Sequence, residues 1–146
     1  MQLSPHFSLS EMVVASTRQS PPDAMQTANL RALCERVLEP VRALLGVPLR
    51  VTSGYRSREH NAAINGSATS QHCLGLAADV VPVGMPAEVA MERIAAAVKS
   101  GALTVDQGIV YPGGFLHLSW SSAPRNMLLR SMAPRGSRGP YSAWSP

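Results

Sequence analysis

Apolar residues recur along this chain with two different periods, and the alternation between them divides it into elements. From Met25 to Leu45, Leu30, Leu33, Cys34, Val37, Leu38, Val41, Leu44 and Leu45 follow the i, i+3, i+4, i+7 spacing of one amphipathic helix. Gly46 supplies its stop, and Pro40 is expected to kink it. A second helical pattern runs from Pro86 to Ser100, with Val89, Ile94, Ala97 and Val98 inward and Gly101 as its end. Short apolar runs at Pro48 to Ser53 and Asp79 to Val83 read as strands. Gly108 to Val110 and Phe115 to Trp120 read as two more, joined by a tight turn over Tyr111-Pro112-Gly113-Gly114. A short helix begins at Glu11, capped by Ser8 or Ser10, and the proline pair within Gln19 to Asp23 breaks the pattern after it. Another short helix spans Arg58 to Ile64 and ends near Asn65-Gly66. From Pro124 the periodicity fades, and Pro134 to Pro146 reads as a coil-like tail carrying Arg135 and Arg138. Left to itself such a tail is mobile, so order there requires a partner surface. Tyr141 and Trp144 are its natural anchors, seated on another chain or on the tail's own domain.

The order of elements predicts an α+β domain over residues 1–130 followed by a tail over 131–146. At 146 residues the chain is long enough to bury a core without disulfides or an obligatory structural metal, so a metal is free to serve chemistry. The net charge of +4 attracts polyanions: nucleic acid, an anionic cell wall or a membrane surface. No run of Lys and Arg interleaves with aromatics, which argues against nucleic acid as a partner. The two cysteines form no C-x-x-C pair and no disulfide framework. Cys34 lies on the apolar stripe as a small core residue, and Cys73 directly follows a histidine, where extended backbone turns adjacent side chains to opposite sides. Met1 to Ser10 lack the basic start and apolar core of a signal peptide, and no run reaches membrane-spanning length. Synthesis in the cytoplasm without a signal peptide or transmembrane segment is the expectation.

Candidate chemistry centres on His72, Asp79 and His117. Two neutral imidazoles and one carboxylate are ligands that zinc accepts, and three protein ligands leave the fourth tetrahedral position for water or substrate. An open position is what a hydrolase requires. His6 and His60 lie outside this pattern and read as ordinary satisfied polar residues.

Several spaced motifs carry a resemblance. They are Ser53-Gly54-Tyr55-Arg56-Ser57, Asn61, Gly66-Ser67, Ser70-x-His72-x-x-Gly75-x-Ala77-x-Asp79 and His117-x-Ser119, with Phe7-Ser8-Leu9-Ser10-Glu11-Met12 ahead of them. Together they resemble the zinc D-Ala-D-Ala carboxypeptidase and L-alanyl-D-glutamate endopeptidase family, in the branch common in bacteriophages and their hosts. The likeness covers roughly residues 5 to 130 and omits the tail. It implies a hedgehog/DD-peptidase-like fold, a small antiparallel sheet with flanking helices, and zinc held by His72, Asp79 and His117 in a groove on the sheet. Arg56 matches the family's arginine, able to fork onto a substrate carboxylate or to stabilise oxyanion charge, with a structural bridge as the bland alternative. Ser70 matches a hydroxyl that orients the substrate backbone.

The chain departs from that pattern at the general base. Gly114 stands where many members carry a carboxylate three residues before the last histidine, and Tyr111 where others carry glutamate. With Tyr111 to Gly114 as the turn, Val110 faces Phe115, Gly108 faces His117 and Asp106 faces Ser119, which puts Asp106 on the metal's side. A one-residue slip reverses this. Asp106 is the candidate base, Gln107 and Tyr111 are polar alternatives, and an inactive site is the remaining one. The function implied by the resemblance is a zinc peptidase of peptidoglycan stem or cross-bridge peptides, acting at the cell wall or periplasm as a phage-type lysin or from within a virion. The rival readings are a virion assembly subunit that keeps the fold with weak or no turnover, and a wall-binding module.

Overall fold

The computed structural model of the chain describes residues 1–15, 18–132 and 139–146. Strands β1 (Gln2–Ser4) and β2 (Phe7–Ser8) form a small antiparallel ribbon that leads into the single-turn helix α1 (Leu9–Met12). Of the two candidate caps it is Ser8 that starts this helix. Its hydroxyl accepts the Glu11 amide while the Glu11 carboxylate accepts the Ser8 amide, which satisfies two otherwise unpaired donors. Asp23 and Gln26 make the same reciprocal arrangement at the start of α2 (Ala24–Leu33).

The long helix predicted over 25–45 is present as a rod of three parts: α2, a π-helical segment (Cys34–Leu38) and α3 (Glu39–Leu45). Proline at position 40 has no amide to donate, and its ring would collide with the carbonyl four residues earlier in a regular helix. Widening by one residue, with the Glu39 amide bonded to the Cys34 carbonyl, relieves that conflict. The stripe of Leu30, Leu33, Cys34, Val37, Leu38 and Val41 is fully buried, whereas Leu44, expected on it, is 40% exposed. Burial raises the Cys34 thiol to about 12, consistent with an inert core residue. The short helix predicted from Arg58 is present as α4 (Arg58–Ala63). In α5 (Ala87–Ser100) the inward face is Ala87, Ala90, Met91, Ile94 and Ala97, and Val89 and Val98 sit on its flanks instead.

The main sheet has the order β3-β4-β6-β5-β7-β8. Its strands are β3 (Leu49–Ser53), β4 (Ala77–Pro82), β5 (Gln107–Val110), β6 (Leu116–Ser119), β7 (Met127–Ser131) and β8 (Tyr141–Ala143). Every pairing is antiparallel except β5 with β7, which is parallel. Ala78, Val80, Val110, Leu116 and Leu118 project from one face into the core shared with the helices, so Asp79, Ile109 and His117 necessarily project from the other.

The β5–β6 hairpin differs from expectation by one residue. Val110 pairs with Leu116, Ile109 with His117 and Gly108 with Leu118. The loop proper is Pro112-Gly113-Gly114, closed by the Gly114 amide on the Tyr111 carbonyl, with Gly114 in the left-handed region at φ 82°. A three-residue loop with glycine at the left-handed position sets Tyr111 opposite Phe115, one place later than a four-residue turn would. Alternation from Ile109 then places Asp106 with Gly108 and Val110 rather than on the metal's side, where the sequence reading sets it, opposite Ser119.

Asp106 instead joins β5 to β7. Its carboxylate accepts both Nε and Nη2 of Arg125 at 2.9 and 2.8 Å, the Arg125 amide at 3.1 Å and the Gln71 side-chain amide at 2.8 Å. The Met127 amide bonds the Asp106 carbonyl, which starts the parallel pairing. Beyond β7, positions 133–138, with Arg135 and Arg138, lie outside the described residues. The expected coil nevertheless ends as β8 on the edge of the same sheet, with Tyr141 opposite Ser131 and Trp144 packed against the core. Both anchors are thus seated on the chain's own domain.

Arg125 holds the Asp106 carboxyl down to about 2, against partial opposition from burial. Because the folded value is depressed, the clamp contributes stability above the unfolded carboxyl's range near 4 and loses it as pH falls toward 2. Asp106→Asn is expected to cost about 2–3 kcal/mol at neutral pH and to flatten the acid limb of stability between pH 4 and 2. Chemical denaturation across pH checks this, and an unchanged acid limb contradicts it.

Candidate metal centre

His72 lies on a 3-10 turn (Gln71–Leu74) that begins at Ser70, whose hydroxyl accepts the His72 amide at 3.2 Å. Gly75 ends the turn at φ 75°, a conformation that glycine adopts without strain. The ring is buried, with Nδ1 2.7 Å from the Gly54 carbonyl oxygen. A carbonyl can only accept, so Nδ1 carries the hydrogen and Nε2 presents its lone pair to the site. Gly54 belongs to the Ser53-Gly54-Tyr55-Arg56 motif, and its side-chain hydrogen faces backbone: a Cβ there would sit 2.3 Å from the Met12 carbonyl oxygen. The Tyr55 amide bonds that same oxygen, and the Arg56 amide bonds the His72 carbonyl. Helix α1, the glycine turn and the His72 turn are thereby locked together.

Asp79 and His117 come from neighbouring strands, directly opposed in the β4–β6 register. The Asp79 Oδ1 atom stands 3.3 Å from His72 Nε2 and 3.2 Å from His117 Nδ1. All three donor atoms lie within 4.8 Å of one another, and among the described residues this is the one such group. Donors on a tetrahedral zinc are expected about 3.3–3.6 Å apart, which the two distances to Asp79 Oδ1 match closely. Cys73 is buried and outside the group; the exposed His6, bonded to Glu39 at 2.7 Å, and the buried His60 also lie outside it.

A bulge in β3 between Val51 and Ser53 shifts Ser53 into register with Asp79. The Ser53 hydroxyl there accepts Arg56 Nε at 2.9 Å, and Arg56 Nη2 reaches Asp79 Oδ2 at 3.2 Å. Arg56 therefore grips the carboxylate oxygen that faces away from the two histidines. Burial opposes ionisation of Asp79, but the neighbouring imidazoles outweigh it and hold its carboxyl well below the usual range. Burial pushes His72 toward its neutral form, with the Asp79 charge only partly opposing it. A carboxylate beside a neutral imidazole is the protonation state that metal ligation requires.

These groups line a cleft of about 510 Å³. Its lining includes the polar Ser70, Gln71, Gln107 and Arg125 and the apolar or aromatic Ile109, Tyr111, Phe115, Leu129 and Tyr141. Asp79 is the one carboxylate among the described residues of the lining, and Asp106 is not part of it. The sequence reading named His72, Asp79, His117, Arg56 and Ser70, and all five border one cleft. It missed the Gly54 carbonyl and Ser53, although both lie in a motif it singled out. It also missed Gln71, Arg125 and Tyr141, the last two of which follow the point where periodicity fades.

Gly54→Ala is expected to push the turn off Met12 and break the His72 Nδ1 contact. Loss of such an orienting partner weakens metal affinity by about 10- to 100-fold, measurable by competition with a metallochromic chelator. Affinity equal to that of the unaltered chain would show that the carbonyl does not orient the ring.

The model of the Peptidase M15 family matches residues 5–119, a stretch that contains all three donors and closes with β6. No curated protein matches the chain. The matched segment spans well over half of the sequence and includes both the glycine turn and the His72 turn, so the chain belongs to the Peptidase M15 family, whose members are zinc peptidases.

Proposed function

We propose that this protein is a zinc peptidase of peptidoglycan peptides, cutting bonds that involve D-amino acids. The observation that carries this reading is the convergence of His72 Nε2 and His117 Nδ1 on one oxygen of Asp79 at near-tetrahedral spacing, inside a cleft open to a peptide. Zinc held there would polarise a scissile carbonyl and bring an attacking water's pKa toward about 7. The chain's own residues orient the ligands and the substrate. Gly54 fixes the His72 tautomer, Arg56 fixes the Asp79 carboxylate, and Ser70 and Gln71 offer polar groups to the substrate backbone. The substrate class rests on family membership and on the resemblance to carboxypeptidases and endopeptidases of the stem peptide. The further reading of a phage-type lysin, or of a virion-borne subunit meeting the cell wall, rests on resemblance alone.

Asp106, the base suggested by the sequence, is better read as a structural clamp. Its oxygens are engaged by Arg125 and Gln71, and a carboxyl held at about 2 is a poor proton acceptor near neutral pH. The lack of a second carboxylate in the described lining favours one alternative, a member that binds wall peptides through the same cleft with little turnover.

Two measurements test these roles. Zinc-loaded protein incubated with purified peptidoglycan is expected to release peptide fragments or D-alanine, and a chelator to stop the release. Stoichiometric zinc without any release would establish the binding alternative. Arg56→Ala is expected to weaken zinc retention by about 10- to 100-fold, as removal of a group that orients a ligand does. Full retention, with weaker binding only of substrates bearing a free carboxylate, would assign Arg56 to the substrate instead.

A further inference from the structure

The segment after residue 119, outside the stretch matched to the family, supplies Arg125, Leu129 and Tyr141 to the cleft. Tyr141 belongs to β8 and meets Tyr111 edge-on, with ring centres 6.3 Å apart at 89° and hydroxyl oxygens 3.1 Å apart. On its other side the Tyr111 ring lies flat on Phe115, 4.6 Å away at 6°. A side chain stacked on one aromatic ring and hydrogen-bonded to another has its hydroxyl fixed in place rather than sweeping through solvent.

The register locates that hydroxyl relative to the metal ligands. Ile109 is directly opposite His117, which is directly opposite Asp79, so the three form one row across the sheet. Tyr111 projects from the same face two residues further on, about 7 Å along the strand. A peptide lying across the ligand row would pass within reach of the phenol. The cleft's one carboxylate among the described residues belongs to the ligand set, and a phenol near neutral pH is an O–H donor, not a base. Either hydroxyl can donate in this pair; when Tyr141 donates to the Tyr111 oxygen, the Tyr111 hydrogen is free for a group in the cleft.

We propose that Tyr111 donates a hydrogen bond to the scissile carbonyl oxygen as negative charge develops on it, and that Tyr141, on the C-terminal strand, is the residue that positions Tyr111. The inference rests on the peptidase reading for the identity of the bond cut. Water oxygen adds to the carbonyl carbon while the carbonyl π pair moves onto the oxygen that Tyr111 contacts. The pair then returns, the C–N bond breaks, and the water's protons are shared between the new carboxyl group and the departing amine. Tyr111 keeps its proton throughout, so the step needs no other reactant. The C-terminal strand then belongs to the working site.

The test uses the zinc-loaded full chain with Tyr111→Phe, Tyr141→Phe and the double variant, a stem peptide ending in D-Ala-D-Ala, and a phosphinate dipeptide whose tetrahedral oxygens imitate the charged state. Tyr111→Phe is expected to lower kcat by roughly 10- to 100-fold with little change in KM, and to weaken the phosphinate comparably at unchanged zinc content. Tyr141→Phe should move the same quantities less, and the double variant should be no worse than Tyr111→Phe alone. Unchanged phosphinate affinity in Tyr111→Phe, or no phosphinate binding by the unaltered chain, overturns the proposal, and additive losses in the double variant overturn the positioning role. If the unaltered chain cleaves nothing but binds phosphinate through Tyr111, the peptidase reading fails and the contact stands. If it cleaves and Tyr111→Phe cleaves equally well, the contact fails and the reading stands.

Discussion

Backbone hydrogen bonding between β4 and β6 sets Asp79 opposite His117 and at the same time turns Ala78, Val80, Leu116 and Leu118 into the core. The two outcomes are inseparable, because side chains alternate along a strand and a slip of one residue would bury the ligands and expose the apolar set. Each fully buried leucine or valine contributes about 1.5–3 kcal/mol, so the wrong register would cost far more than any local rearrangement at the site could recover. The placement of these two candidate donors is therefore enforced by the same packing that stabilises the fold.

The third donor lies outside the sheet and needs separate support. His72 depends on a short turn, and that turn is tied to the Gly54 carbonyl, the Met12 carbonyl and the Arg56 amide. The N-terminal ribbon and α1, far from the ligands in sequence, thus serve the site through one close backbone approach that only glycine permits. Arg56 completes the arrangement from the same turn by holding the outer oxygen of Asp79. A charged carboxylate between two imidazoles is stabilised only if its remaining lone pairs are also satisfied, and this guanidinium satisfies one of them.

The sequence showed the helices and inner strands because their burial is one-sided and leaves a period of 3.6 or 2 residues in the apolar pattern. The three candidate donors were legible because His72, Asp79 and His117 fall within the spaced motifs that carry the resemblance, and the fold brings them together. The π-helical segment was visible only as Pro40, since a proline announces a conflict without saying how the backbone relieves it. The hairpin register turned on whether Gly114 closes a three-residue loop or ends a four-residue one, and that one-residue choice decided the reading of Asp106. Strands β7 and β8 were hidden because neither alternates between buried and exposed positions, β7 being half-buried along most of its length and β8 exposed at the sheet's edge. Both are positioned by specific contacts: Asp106 on Arg125, Tyr141 beside Tyr111. Such contacts join residues distant in sequence and leave no periodic trace.

The central claim is that His72, Asp79 and His117 hold one zinc ion with a position left for substrate. X-ray absorption at the zinc edge of the loaded protein tests it most directly. Two imidazole nitrogens and light oxygen donors at about 2.0–2.2 Å, with no sulfur, are predicted, and the imidazole scattering should halve in His117→Ala. A sulfur shell near 2.3 Å, or an imidazole signal indifferent to that substitution, would contradict the claim.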